Sequence, residues 1–119
     1  MAQTLRTGPV RVSGYAIKLR RVFNAALREY YKQGKLDAKA VNQLLSDLNG
    51  KIYRVLVERF EIPKEAVVNI EVDYSIGDGE LKIEDVRINV YDRDEILSRN
   101  ATNELKKLLA AEAGGEESQ

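Results

Sequence analysis

The sequence predicts an α+β domain. A short N-terminal strand leads into two long helices, then a β-hairpin that forms a small antiparallel sheet, then a C-terminal helix. Three observations carry this reading. Apolar residues recur at the helical period of 3.6 across residues 15–30 and again across 41–60. The pattern then changes to strict alternation, with Val68, Ile70, Val72, Tyr74 and Ile76 against Asn69, Glu71, Asp73 and Ser75. Between this strand and the next lies Gly77-Asp78-Gly79, whose residues accept the positive φ angles of a tight hairpin turn. The chain has 119 residues, enough for one domain with a modest core. The domain is expected over 7–111, with 112–119 as a disordered acidic tail.

Residues 1–6 are expected to be loose. Thr7-Gly8-Pro9 is turn chemistry, and Val10-Arg11-Val12 alternates like a short strand. Pro9 lacks an N–H and so suits a strand start or a sheet edge. Ser13 offers an N-cap for a helix from about Gly14 to Gln33. Tyr15, Leu19, Val22, Phe23, Ala26, Leu27 and Tyr30 share one face of that helix, and Gly34 ends it in a left-handed cap. Asp37 caps the next helix, about Ala38 to Phe60. Val41, Leu44, Leu45, Leu48, Ile52, Val55, Leu56 and Phe60 line one stripe through Gly50. A glycine in a helix interior suggests a kink or a close backbone approach. Two shorter helices broken at Asn49-Gly50 are the alternative, and Ile62-Pro63 ends the element either way.

The strand from Ala66 to Ile76 returns as a strand from Glu80 to Tyr91. The apolar phase of the return strand shifts between Ile83 and Val86, so a bulge at Glu84-Asp85 is expected. Asp92 or Asp94 caps a last helix, about Arg93 to Ala111. Ile96, Leu97, Leu105, Leu108 and Leu109, with Ala101 among them, make a narrow seam. Such a seam either docks on its own domain or pairs with a second chain, and pairing is the expectation.

The formal net charge of zero conceals a strong asymmetry. Residues 1–35 hold eight cations (Arg6, Arg11, Lys18, Arg20, Arg21, Arg28, Lys32 and Lys35) against the single acid Glu29. The remainder holds 11 cations and 18 acids. A basic segment of this kind is the footprint of a polyanion-binding face, or else an internal complement to acidic strands. Lys18, Arg21, Arg28 and Lys32 form a stripe opposite the apolar face of the first helix, and Arg20 and Tyr31 lie between the two. Cations that track phosphates, beside aromatic rings that stack on bases, are the chemistry of single-strand binding. Tyr31 lies off the apolar face and is the better stacking candidate. Tyr15, Phe23 and Tyr30 serve either the core or a ligand.

The chain has no Cys and no His, which removes disulfides, thiolate metal sites, the commonest general base and the commonest neutral metal ligand. It has no phosphate-binding glycine loop and no zinc-binding signature, so no catalytic residue, cofactor or metal is assigned. The acids at Asp92-Arg93-Asp94-Glu95 are explained by capping and the helix dipole. The N-terminus has no signal-peptide core and no apolar run is long enough to span a bilayer, so the expected location is cytoplasmic, without a membrane partner. High charge without Cys or internal Met suits a thermophilic source.

The run TGPVRVSGYAIKLRRVFNAALREYY, followed by a second helix and a hairpin, resembles the archaeal ThermoDBP family and its related proteins. The likeness covers most of Thr7 to Leu109 and is strongest from Gly8-Pro9 through Tyr15 to Lys18-Leu19-Arg20-Arg21. Members of that family bind single-stranded DNA without an OB-fold, in a cleft with an apolar floor and basic flanks, and self-associate through a C-terminal helix. The resemblance implies phosphate contacts at Arg11, Lys18, Arg21, Arg28 and Lys32, and base contacts at Tyr15 and Tyr31. Arg20 joins these from its place beside the basic stripe. The expected function is therefore non-catalytic, largely sequence-independent binding of single-stranded DNA, with RNA left open, by a homodimer or homotetramer. The rival is an assembly module whose basic helix meets an acidic partner. Ala101 stands where the family's seam would carry a leucine, which leaves the dimer geometry open.

Overall fold

The computed structural model describes residues 3–92 and 95–117. It is a two-layer α+β structure, with the helices before the hairpin packed on one face of a four-stranded antiparallel sheet. The strands are β1 (Gln3–Arg6), β2 (Val10–Arg11), β3 (Val67–Gly77) and β4 (Glu80–Tyr91). The helices are α1 (Tyr15–Ala26), α2 (Arg28–Lys32), α3 (Ala38–Tyr53) and α4 (Glu95–Glu117). β3 is the centre of the sheet. β4 pairs with one edge of it, and β1 and β2 share the other edge in succession.

The N-terminal residues are therefore ordered from Gln3, contrary to the expectation of a loose segment. Gln3 pairs with Tyr74 and Arg6 with Glu71. The break between β1 and β2 is built around Thr7, which is buried. Its N–H donates to Ile70 O at 3.0 Å, and its Oγ1 accepts from Ile70 N at 3.0 Å. Gly8 follows with φ +71°, so the chain can step aside before Val10 rejoins β3 opposite Val68. Val12–Gly14 then forms a single 3₁₀ turn, so the strand is one residue shorter than its alternation suggests.

The first long helix is two segments. Leu27, at φ −97° and ψ 3°, divides α1 from α2, while Tyr31 N still donates to Leu27 O at 3.1 Å. Gly34, at φ +71°, closes α2. Lys35 N donates to Tyr30 O and Gly34 N to Tyr31 O, the paired bonds of a Schellman end. Asp37 caps α3 by accepting from Lys39 N. α3 runs through Gly50 without a break, and a Cβ placed there would meet nothing within 4 Å. Close approach is thus not the reason for this glycine. The irregularity comes later, where Arg54–Arg59 widens to a π-helical turn.

The hairpin turns at Asp78 (φ 54°) and Gly79 (φ 76°), and Gly77 pairs with Glu80. Asp73 pairs with Asp85 but Tyr74 with Ile83, so Glu84 is the extra residue of a bulge, as the phase shift requires. Phe23, Leu19, Leu27, Leu45, Leu56, Val68, Ile70 and Val72 fill the space between sheet and helices. Phe23 and Tyr74 pack with ring centroids 5.5 Å apart at 57°. α4 runs past Ala111, where the sequence pattern stops, to Glu117. The expected start at Arg93 and the alternative cap Asp94 lie outside the described residues, as do Ser118 and Gln119. No described helix is long and apolar enough to cross a membrane.

Candidate nucleic-acid interface

The sheet packs against one side of α1, and the opposite side faces solvent. Leu19 and Phe23 are fully buried and Tyr15 nearly so, which orients the helix. Arg21 and Arg28 are consequently exposed, Lys18 and Arg20 half-buried, and Lys32 exposed on α2. Lys18, Arg21, Arg28 and Lys32 thus lie on the solvent-facing surface of α1 and α2, with Arg20 at its flank beside α3. Arg11 is not part of it. Val10 and Val12 turn inward around it, so Arg11 points from β2 toward the open face of the sheet.

Three acids of the sheet, Glu71, Asp73 and Asp85, are paired away from this surface. On the open face of the sheet, Arg87 grips Asp73 with two bonds, Nη1 to Oδ2 at 2.8 Å and Nη2 to Oδ1 at 3.0 Å. Arg87 also meets Asp85 at 3.0 Å, and Arg6 Nε meets Glu71 at 2.9 Å. Hydrogen bonds from Arg87 and then Thr4 hold the Asp73 carboxyl well below the usual range, and bonds from Arg6 and then Asn89 lower that of Glu71. Among the described residues, Lys18, Arg20, Arg21 and Arg28 have no ion-pair partner. Lys32 lies 3.8 Å from Glu29, but both are largely exposed, so the pair holds it weakly.

The aromatic rings divide differently from the cations. Tyr15 is core, at 4% exposure, and its hydroxyl donates to Asn49 O at 2.9 Å. Burial, and then the neighbouring Tyr53 phenol, raise its pKa above the ordinary value. The same periodicity that aligns Tyr15 with Leu19 buries its ring. Phe23 is core as well, and Tyr30 is packed against the core beside Tyr74. Tyr31 is half-buried and its hydroxyl donates to Asn24 Oδ1 at 3.1 Å, with burial raising its pKa.

Beside the cations a groove of about 550 Å³ runs along the seam of α1 and α3. Ala16, Ile17, Arg20, Arg21 and Asn24 line it from α1, and Ser46 and Asn49 from α3. Arg20 Nη2 donates to Ser46 Oγ at 2.9 Å, and Asn49 Nδ2 donates to Ala16 O at 3.4 Å, so polar bonds tie the two helices at its base. Ile17 stands 68% exposed at its edge. Sequence reading missed Ile17, because an apolar residue off the core stripe looks like noise without knowledge of what lies beside it. Among the described residues no three metal-ligating side chains converge. The arrangement offers positive charge, an apolar surface and side-chain amides.

The chain is similar to known proteins. Residues 5–82 match the family model described as ThermoDBP-related, archaea. The chain belongs to this ThermoDBP-related family. Two solved members are similar to it throughout. One is apeThermo-DBP-RP2, crystallised bound to the single-stranded DNA dT10. It is 32% identical, with a TM-score of 0.77, over 92% of this chain and 54% of that one. The chain thus spans about half the length of that relative. The other is pfuThermo-DBP-RP1, 31% identical with a TM-score of 0.67, over 98% of this chain and 79% of that one. No curated protein matches the sequence.

Proposed function

We propose that the chain binds single-stranded DNA without catalysis and with little sequence preference, through the exposed basic surface of α1 and α2. One observation carries the reading. Lys18, Arg20, Arg21 and Arg28 have no ion-pair partner among the described residues, while Glu71, Asp73 and Asp85 are engaged with Arg6 and Arg87 on the far face of the sheet, so these four cations are available to phosphates. Relatives at about this identity include one crystallised with dT10, which favours DNA as the ligand. RNA offers the same phosphates and belongs in the same test. The setting is cytoplasmic and the working form a homo-oligomer joined through Ile96, Leu97, Leu105, Leu108 and Leu109 of α4.

Fluorescence anisotropy with a labelled oligo-dT tests the proposal. Four phosphate contacts on a single strand give a slope of log affinity against log salt near −2.8. Arg21→Glu with Arg28→Glu removes two contacts and should weaken binding at least tenfold at low salt. Both residues are exposed, so the fold should survive. No binding at low salt, or equal affinity for duplex, would overturn the reading. An RNA oligomer of the same length, run alongside, reports the DNA preference.

A further inference from the structure

Tyr15 and Phe23 are core and Tyr30 and Tyr31 are half-buried, so α1 and α2 present no widely exposed ring. A more exposed ring stands next to them. Tyr53, at the end of α3, is 49% exposed and stands beside Tyr15. Its neighbourhood is a second groove of about 380 Å³, lined by Val12, Tyr15, Ala16, Tyr53, Val57 and Lys64 among others. Ala16 lines both grooves, so the two meet along the α1–α3 seam.

Lys64 is placed by the backbone. Its carbonyl accepts from Ser13 N at 3.1 Å, which holds the turn before β3 against the start of α1. Its ammonium group has no ion-pair partner among the described residues. None of the residues lining either groove is acidic, and Arg20, Arg21 and Lys64 lie along them. From Ala16 to Asn24 the seam extends about 12 Å at 1.5 Å per residue, and the second groove continues it past the N-terminus of α1. The result is a trough with cations toward both ends, small apolar residues between them and one half-exposed phenol ring. Single-stranded nucleic acid presents the complementary features, a negative backbone and flat apolar faces.

We infer that the bound strand leaves α1 along this seam, where Tyr53 stacks on a base and Lys64 neutralises the phosphate beyond it. This rests on the single-strand reading above and adds α3 and the turn before β3 to a surface otherwise confined to α1 and α2. Phe60 and Tyr91 are comparably exposed, but they line neither groove.

The test uses the full chain and oligo-dT. Tyr53→Ala should weaken binding by between about fivefold and 150-fold, the range for losing one stacked base. Tyr53→Phe keeps the ring and should bind within about twofold of the parent. Lys64→Gln should flatten the salt slope by about 0.7, the value for one phosphate contact. If Tyr53→Ala and Lys64→Gln leave affinity and slope unchanged while Arg21→Glu still weakens binding, the strand does not follow the seam and only this inference falls. If the parent protein binds no single strand, both readings fall together. Photocrosslinking of a 5-bromodeoxyuridine oligomer to the unsubstituted protein removes dependence on variant folding. An adduct mapped to Tyr53 supports the path, and adducts confined to peptides lacking Tyr53 overturn it.

Discussion

At the scale of single residues, the structure turns on side chains that serve two partners at once. Thr7 is the clearest. Its Oγ1 accepts from Ile70 N and donates to Gly8 O at 2.7 Å, so one hydroxyl satisfies the β3 backbone and fixes the step between β1 and β2. Thr7→Val preserves the shape but leaves the Ile70 N–H, in the buried centre of the sheet, without an acceptor. An unsatisfied buried donor costs about 1–3 kcal/mol. Urea unfolding should show the midpoint lowered accordingly at an unchanged slope, because the surface exposed on unfolding is the same. An unchanged midpoint would mean that the edge strand contributes little to the folded state. Tyr15 has a comparable double role, filling the core with its ring while its hydroxyl caps Asn49 O. That role keeps its ring off the surface, whereas Tyr53 beside it is half exposed.

At the scale of elements, the two faces of the sheet divide the labour. The inner face is hydrocarbon, and the outer face is a lattice of ion pairs centred on Arg87. Asp73 and Glu71 have pKa values below the ordinary 3.8 and 4.5, so the folded chain favours their charged forms more than the unfolded chain does. Their contribution to stability is therefore complete above those ordinary values and is lost as pH falls through and below them. The urea midpoint should decline as the solution is acidified from about pH 5 to pH 3. In Arg87→Met the midpoint should be lower at pH 7 and its decline on acidification shallower. Parallel pH profiles for the two proteins would show that the pairing does not stabilise the fold. Much of this architecture is legible in the sequence. The helical stripes, the alternation of β3, the Asp78-Gly79 turn and the bulge at Glu84 all follow from local pattern. β1 was not legible because Gln3-Thr4-Leu5-Arg6 has one apolar residue, and only its distant partner β3 makes it a strand. That Tyr53 stands exposed beside Tyr15 was not legible either, for a related reason. Periodicity shows which side of α3 is buried, but not which flank of it lies against α1.

At the scale of the whole molecule, the chain is far from spherical. Its radius of gyration is 21.2 Å, within extents of 73 × 34 × 23 Å. A compact chain of this length would have a radius of about 13–14 Å. The difference arises from α4, about 34 Å long, which extends from the body. Its seam residues are exposed, with Ile96 at 72%, Leu97 at 64%, Leu105 at 57%, Leu108 at 60% and Leu109 at 56%. A helix with its apolar stripe in water gains little from propensity alone and is stabilised chiefly by packing. The narrow spacing of the stripe suits a second helix better than a broad domain surface. Self-association through α4 would also place two basic troughs on one particle, and a long strand reaching both would gain from high effective concentration. Leu105→Glu with Leu108→Glu puts charge into the seam without touching the folded core. Light scattering on the full-length variant should report the monomer mass where the parent shows a dimer or tetramer. Affinity for an oligomer short enough to occupy one trough should stay within about twofold, while affinity for a strand spanning both should fall by about 100-fold or more. An unchanged mass would place the interface away from α4. A lower mass with unaltered long-strand affinity would mean that the troughs act singly.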